Sequence, residues 1–413
     1  MNYVIDTLAN YMPVDQDAVV VDVENSHGSW VRDFDGKKYL DMYSQFASQP
    51  LGWNNIDLVE MKPRFEHVLL HKMANSDMYC SEYADFVRAW ANITHDFKYH
   101  FFIEGGALAV ENALKAAFDW KVQRDGVKTQ DLDVVHFREA FHGRTGYTMS
   151  VTNNPHNDHK VKFYPKFNWT RVTNPKLYHP VDENKVEKLE TISLEEIEKA
   201  MKKGNVACVL MEAIQGEGGD NHFRAVYLQK VQELCRKYNA LFIIDEVQAG
   251  MGLTGRVWSY QNFGIKPDII AFGKKSQVCG CSAGERLDEV PNNVFRLAGR
   301  INSTWGGNIV DMVRCSAIME IMARRHLVSN AKRVGEYFLD RLTQVGYPNT
   351  RGKGLMIAFD LDDEKERDDM LGRLKEKGLL ALSCGQKSIR FRPFLTMMED
   401  EADQAIEMIV KAS

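Results

Sequence analysis

The chain reads as an α/β protein: a mostly parallel central sheet with helices on both faces, plus a smaller discontinuous α+β lobe. Three observations predict this. First, DVVHF (133–137), VACVLMEAI (206–214), ALFIIDEV (240–247) and DIIAF (268–272) are short apolar runs rich in β-branched residues and bounded by turns. Such runs, apolar on both faces, fit parallel strands covered by helices on each side. Second, helical segments separate them, and that alternation is the α/β signature. Third, the rhythm changes at both ends of the chain, which points to a second, composite lobe.

The elements follow in order. AVVVDVENSHGSWVRDFDGKKYLDMYS alternates apolar and polar residues, with turn signals at Ser26-His27-Gly28 and Asp35-Gly36. It predicts a small meander ending near Tyr43. Residues 1–54 are therefore assigned to the first part of the small domain. From about residue 55 helices alternate with buried strands, which assigns 55–307 to the large domain. Within it, Ala107, Val110, Leu114 and Ala117 recur at helical spacing and Gly126 closes that helix. A further helix is predicted over 225–239. From residue 308 a long helix (309–345) is interrupted near Ala323-Arg324. Strand signals follow at GLMIAFDL and SIRFRP, and a last helix ends at Met408–Ala412. Residues 308–413 complete the small domain, packed with the N-terminal meander.

The bulk numbers narrow the function. The 413 residues exceed the usual size of a single core. A net charge of -5 with both signs interspersed lacks the basic stripe of a nucleic-acid footprint. No apolar run approaches membrane-spanning length. The opening MNYVIDTLANYMPVDQD has no basic n-region, so no secretory leader is expected. Seven scattered cysteines suggest reduced thiols in a cytoplasmic protein. Cys279 and Cys281 have no second ligand pair at zinc-site spacing, so no metal is expected.

Ligands of open α/β sheets bind outside the carboxyl ends of the strands. The residues at those ends are chemically capable. Gly105-Gly106-Ala107 opens a helix whose backbone N–H groups could receive an anion, or simply makes a tight turn. Asp245 ends a buried strand. It could meet a ligand cation, or cap a helix. Lys274 follows a buried strand. It could be a desolvated nucleophilic amine, or an ordinary solvated lysine. Together, a phosphate cradle, a carboxylate for a pyridine nitrogen and an amine for an aldehyde are the contacts that pyridoxal phosphate requires.

EGGALAVENALKAA, FHGRTG, IQGEGG, FIIDEVQAGMG, PDIIAFGK and STWGGN occur here in one order. They resemble the class III, fold-type-I aminotransferases that depend on pyridoxal 5′-phosphate (PLP), over nearly the whole length. FGKKSQVCG, GLTG, NSTWGGN and KMANSDMY resemble the lysine ε-aminotransferase subgroup more than commoner members. Departures from the common pattern are Lys275-Ser276-Gln277-Val278 in place of a glycine-rich stretch, Leu253 in place of an arginine, and Ala213 in place of a proline.

The resemblance implies a role for each residue. Lys274 matches the Schiff-base lysine and proton carrier. Asp245 would keep the pyridine nitrogen protonated. Val247 and Phe141 would sandwich the ring, and Gln248 would reach its phenolic oxygen. Gly106 and Ala107 would bind the phosphate, joined by Thr304 from the neighbouring subunit of a homodimer. Arg144 would hold the distal substrate carboxylate. Arg390, preferred over Arg392 because family members share it, would take the α-carboxylate of 2-oxoglutarate. Glu217 would pair with Arg390 while an amine donor is bound and swing away for 2-oxoglutarate.

The expected reaction is transfer of the ε-amine of L-lysine to 2-oxoglutarate, giving glutamate and 2-aminoadipate 6-semialdehyde. Ornithine, acetylornithine or 4-aminobutyrate as donor is the alternative within the family. A non-catalytic binding protein of the same fold is the alternative outside it. Finally, adjacent side chains leaving a strand point to opposite sides. Only Lys274 of the Lys274-Lys275 pair is therefore expected to face the ligand.

Overall fold

The computed structural model describes residues 3–153 and 155–413. A seven-stranded sheet organises it, in the order Tyr99–Ile103, Cys279–Ala283, Ile269–Phe272, Leu241–Asp245, Val206–Met211, Asp133–Phe137, Arg171–Val172. The last five pair in parallel. Cys279–Ala283 runs antiparallel to both of its neighbours. Six strands thus point one way and one points back.

The double-sided apolar character of the central strands has a direct cause. Phe242, Ile244, Ile270 and Phe272 enter one core, while Ile243, Ile269 and Ala271 enter another. The strand period of two sends successive side chains to opposite faces, and both faces are dry. One core is closed by Ala109, Val110, Ala113, Leu114 and Trp120 of helix Gly106–Asp125. The other is closed by Phe86 and Trp90 of Ser81–Ile93 and by Tyr227, Leu228 and Val231 of Ala225–Lys237. Trp90 and Phe272 rings lie 4.3 Å apart across that interface. Truncating a ring such as Phe272 to alanine would cost about 3–5 kcal/mol. Helix Gly106–Asp125 stops at Gly126, whose left-handed φ of 68° lets its N–H reach back to Val122 O.

The two chain ends share a sheet: Trp30–Arg32, Lys38–Asp41 and Leu379–Leu380. Lys38–Asp41 pairs antiparallel with the first and parallel with the last. A four-stranded antiparallel sheet carries Met356–Asp360 and Ser388–Phe391 in adjacent positions. The long C-terminal helix divides into Ile309–Arg324 and Leu327–Val345, separated at His326, whose φ is 52°.

Some expectations need correction. The runs 206–214 and 240–247 end as strands at Met211 and Asp245, because the residues beyond them turn into loops. Tyr99–Ile103 and Cys279–Ala283 were not expected as strands: Tyr99, His100 and Phe101 are only half-buried, and CGCSA is built of small residues. The helix Tyr3–Ala9 buries none of its residues, so it carries no periodic apolar face to read. Among the described residues no helix is long and apolar enough to cross a membrane.

Candidate active site

Six strands finish at one edge of the large sheet, and the reversed strand begins there. Ile103 pairs with Cys279, and Phe272 with Gly280. A cavity of about 480 Å³ opens along this edge. Of the residues singled out in the sequence, Gly106, Ala107, Phe141, Arg144, Glu217, Asp245, Val247, Gln248 and Lys274 line it. Arg390 reaches it through Glu217 and Gln248. Thr304 does not line it and is exposed.

Lys274 begins a 3-10 turn, Lys274–Ser276, with a left-handed φ of 55°. A non-glycine residue there is strained, and such strain concentrates at functional sites. Burial pushes its ammonium down from 10.5 to about 8, and Arg390 and Arg392 add to the effect; Glu217 and Asp245 oppose it. Lys275 does not line the cavity. The reason differs from the expected one. The pair lies on a turn, not a strand, and Lys275 is fully buried with its Nζ donating to Ala47 O at 2.8 Å. Ala47 closes a run, Ser44 to Ala47, in which all four residues have positive φ.

Asp245 caps no helix, because the residues after it form a turn. Its Oδ1 accepts the Val247 N–H at 3.0 Å, a local turn contact. Its Oδ2 lies 2.8 Å from His142 Nδ1. His142 is itself buried, and among the described residues its Nε2 has no hydrogen-bond partner. The histidine stands inside FHGRTG, yet its pairing spans 103 residues and left no local signal.

The start of helix Gly106–Asp125 is tightly enclosed. Gly105 has φ 98°, and a Cβ on Gly106 would meet Val247 Cγ1 at 2.8 Å. A Cβ on Gly143 would meet that of Ala107 at 2.5 Å. Gly106 and Gly143 are thus required by packing against Val247 and Ala107, whereas the space beside Gly105 is open.

Glu217 accepts from Arg390 Nη2 at 2.5 Å, and Lys160 Nζ lies 3.5 Å from its other oxygen. Burial pushes this carboxyl up, but Arg390 and Lys160 outweigh it and hold it below the ordinary value. Gln248 Oε1 accepts from Arg390 Nη1 at 3.2 Å and from Arg392 Nε and Nη2 at 3.3 and 3.2 Å. Arg392 is bidentate to Asp220, and both are buried. Its charge is thus committed, whereas Arg390 meets the cavity's own carboxylate. Arg144 stands exposed at the rim.

Four lining residues besides His142 escaped the sequence reading or were given no role: Gly143, described above, and Glu212, Cys279 and Thr145. Glu212 accepts from Phe141 N at 3.1 Å and Gly216 N at 2.9 Å, and burial pushes its carboxyl up to about 7. A charge closing the apolar run VACVLME was the available sign. Cys279 enters from the reversed strand. Thr145 lies beside Arg144 on the rim.

The sequence matches the family model described as aminotransferase class-III over residues 11–413. An L-lysine-epsilon aminotransferase of Streptomyces clavuligerus is 45% identical over 98% of this chain and 93% of its own. A 4-aminobutyrate aminotransferase of Kluyveromyces lactis is 34% identical over 95% of this chain and 90% of its own. Among solved structures, a lysine aminotransferase from M. tuberculosis superposes with a TM-score of 0.96 at 42% identity, covering 99% of this chain and 98% of that one. The chain belongs to the class-III aminotransferase family.

Proposed function

We propose that this aminotransferase moves the ε-amino group of L-lysine to 2-oxoglutarate, releasing glutamate and 2-aminoadipate 6-semialdehyde, which cyclises to piperideine-6-carboxylate. The observation that carries this reading is the Glu217–Arg390 pair inside the cavity. The reacting end of lysine bears no carboxylate, so a buried guanidinium beside it needs a carboxylate of the protein's own. Likeness at 42–45% to lysine ε-aminotransferases, against 34% to a 4-aminobutyrate aminotransferase, supports the same choice.

Class-III aminotransferases work with PLP, and the cavity fits that group. It offers a lysine with a lowered pKa, a buried carboxylate backed by histidine, and a helix start with no room for a side chain. When bound, PLP withdraws electrons from the carbon that carries the amine. The remaining work falls to the chain. Lys274, at about 8, is partly free amine near neutral pH, so its Nζ can act as a nucleophile and as a base. Nζ would take a proton from the ε-carbon of the donor and later return one to the α-carbon of the 2-oxo acid. Asp245 would place negative charge at the ring nitrogen, with His142 holding the carboxylate in position. Phe141 and Val247 would keep the ring between them, and Gly106 and Ala107 would supply phosphate-binding N–H groups. Gln248 would turn its amide edge to the phenolic oxygen while its Oε1 serves the arginines. Arg144 would take the far carboxylate of lysine. Arg390 would release Glu217 and take the α-carboxylate of 2-oxoglutarate.

Thr304, exposed and outside its own cavity, would complete the phosphate site of the partner subunit in a homodimer. The free cysteines suit a cytoplasmic setting. Residues 1–54 and 308–413 would form one domain and 55–307 the other, a division supported by the pairing of Lys38–Asp41 with Leu379–Leu380.

A donor panel tests the proposal. Purified protein with PLP and 2-oxoglutarate is given lysine, ornithine, acetylornithine and 4-aminobutyrate, and glutamate is measured. Lysine is expected to give the highest kcat/KM, with a cyclised product that reacts with aminobenzaldehyde. A higher kcat/KM for any other donor refutes it.

A further inference from the structure

We propose that Arg351 is a positioning residue for Glu217: it fixes the backbone of the loop that carries the switch carboxylate. The inference rests on the switch reading of Glu217 given above.

The loop runs from Gln215 to Asn221, whose backbones bridge each other at 3.0 and 2.9 Å. It is a thin wall between two cavities. Glu217 faces the large one. Gly218 and Gly219 line a second, of about 260 Å³, together with Arg351, Tyr178 and Lys387. Gly218 packs so closely on the segment before Ala140 that a Cβ would lie 1.9 Å from Glu139 O. A wall of glycines with empty space behind it has little intrinsic stiffness.

Within the loop Gly216 O accepts from Asp220 N at 3.1 Å and from Gly219 N at 3.3 Å, and the loop's ties to the rest of the protein add further stiffness. Arg351 is buried and spends all its donors. Its Nη2 donates to Gly219 O, and its Nε to Asp220 O at 2.9 Å. Its other bonds tie it to the C-terminal lobe: Nη1 to Asn349 O at 2.6 Å and Asp360 Oδ1 at 2.9 Å, and Nη2 to Ser388 Oγ at 3.0 Å. Gly385 N donates to Glu217 O at 2.9 Å, and Glu212 holds Gly216 N. With the Gly216 N–H before it, its own carbonyl, and the Gly219 and Asp220 carbonyls after it all held, Glu217 leaves Arg390 by side-chain rotation. The same restraint brings it back. Without Arg351 the wall can relax toward the second cavity, and the carboxylate no longer meets Arg390 in register. The amine-donor half-reaction then faces an unpaired guanidinium, while 2-oxoglutarate meets less competition for it.

The test measures each half-reaction separately on the PLP-loaded enzyme, following the cofactor spectrum in single turnovers. Calorimetric binding of glutarate, a dicarboxylate that cannot react, is the second readout. The variants are Arg351→Lys, Glu217→Ala and the double variant. Arg351→Met with Asp360→Asn leaves no unpaired buried charge and serves if Arg351→Lys does not fold. The concentration of lysine giving half-maximal rate is expected to rise about tenfold, and glutarate to bind as tightly as before or a few-fold tighter. The double variant is expected to match Glu217→Ala, because both changes act through one carboxylate. Equal weakening of lysine and glutarate would overturn the proposal, as would additive effects in the double variant. If Glu217→Ala itself leaves lysine half-saturation unchanged, the switch reading fails first, and Arg351 loses its object.

Discussion

The buried amine of Lys274 makes the site a source of instability, and its size can be worked out. Burial, reinforced by Arg390 and Arg392, takes the ammonium from 10.5 to about 8. Each tenfold change in proton affinity is worth ~1.4 kcal/mol, so the folded, cofactor-free protein is disfavoured by about 3 kcal/mol. The sign follows from the depressed value. The unfolded chain holds this proton more tightly, so the penalty is present in full below pH 8 and vanishes as pH rises to 10.5. Lys274→Met keeps the length, drops the charge and retains the strained φ, which then cancels in the comparison. Unfolding entropy of ~2.1 cal/mol/K per residue converts 3 kcal/mol into a rise of about 4 °C in Tm for a chain of this length. Thermal melts of both cofactor-free proteins at pH 7 and pH 10 provide the assay. The gap is expected to be about 4 °C at pH 7 and to shrink to about 1 °C at pH 10. No gap at pH 7, or one that is unchanged at pH 10, refutes the reasoning.

Other expectations concern the chemistry. Borohydride reduction of the loaded protein, followed by peptide mapping, is expected to place the pyridoxyl group on Lys274; finding it on Lys275 would contradict the burial of that side chain against Ala47 O. Glu217→Ala removes a charge-assisted bond worth about 1.5–3 kcal/mol, so kcat/KM for lysine should fall roughly 10- to 100-fold, with preference for glutamate as donor increased. An unchanged lysine-to-glutamate preference would count against the switch. Asp245→Asn removes the buried charge beside His142 and should lower kcat by about 100-fold or more at saturating cofactor, whereas a loss under tenfold would deny it an electrostatic role. Gly106→Ala drives a Cβ against Val247, which lines the cavity, and should loosen cofactor retention in equilibrium dialysis; unaltered retention would dismiss the argument that this packing places Val247 against the ring.

Much of the fold was legible because both faces of the central strands are covered. Runs such as FIID and DIIAF had to be apolar throughout, and a local reading suffices for that. Motif order carried the family in the same way, and with it Lys274, Asp245 and the glycines at the helix start. What the residues alone could not supply was the pairing of distant groups. His142 meets Asp245 and Arg351 reaches Asp220 O across 131 residues without any sign in the sequence, whereas the Glu217–Arg390 pair, 173 residues apart, was expected only through the family resemblance. The double lysine shows the division most plainly. Its first member was identified by its register with the family's Schiff-base lysine. The fate of the second depended on a 3-10 turn and on a carbonyl 228 residues away. Local propensity and periodicity are properties of neighbours along the chain, so sequence determines strands, helices and the edge where they end. Which buried charge finds which partner is decided only when remote segments are desolvated together, and that is a property of the tertiary structure.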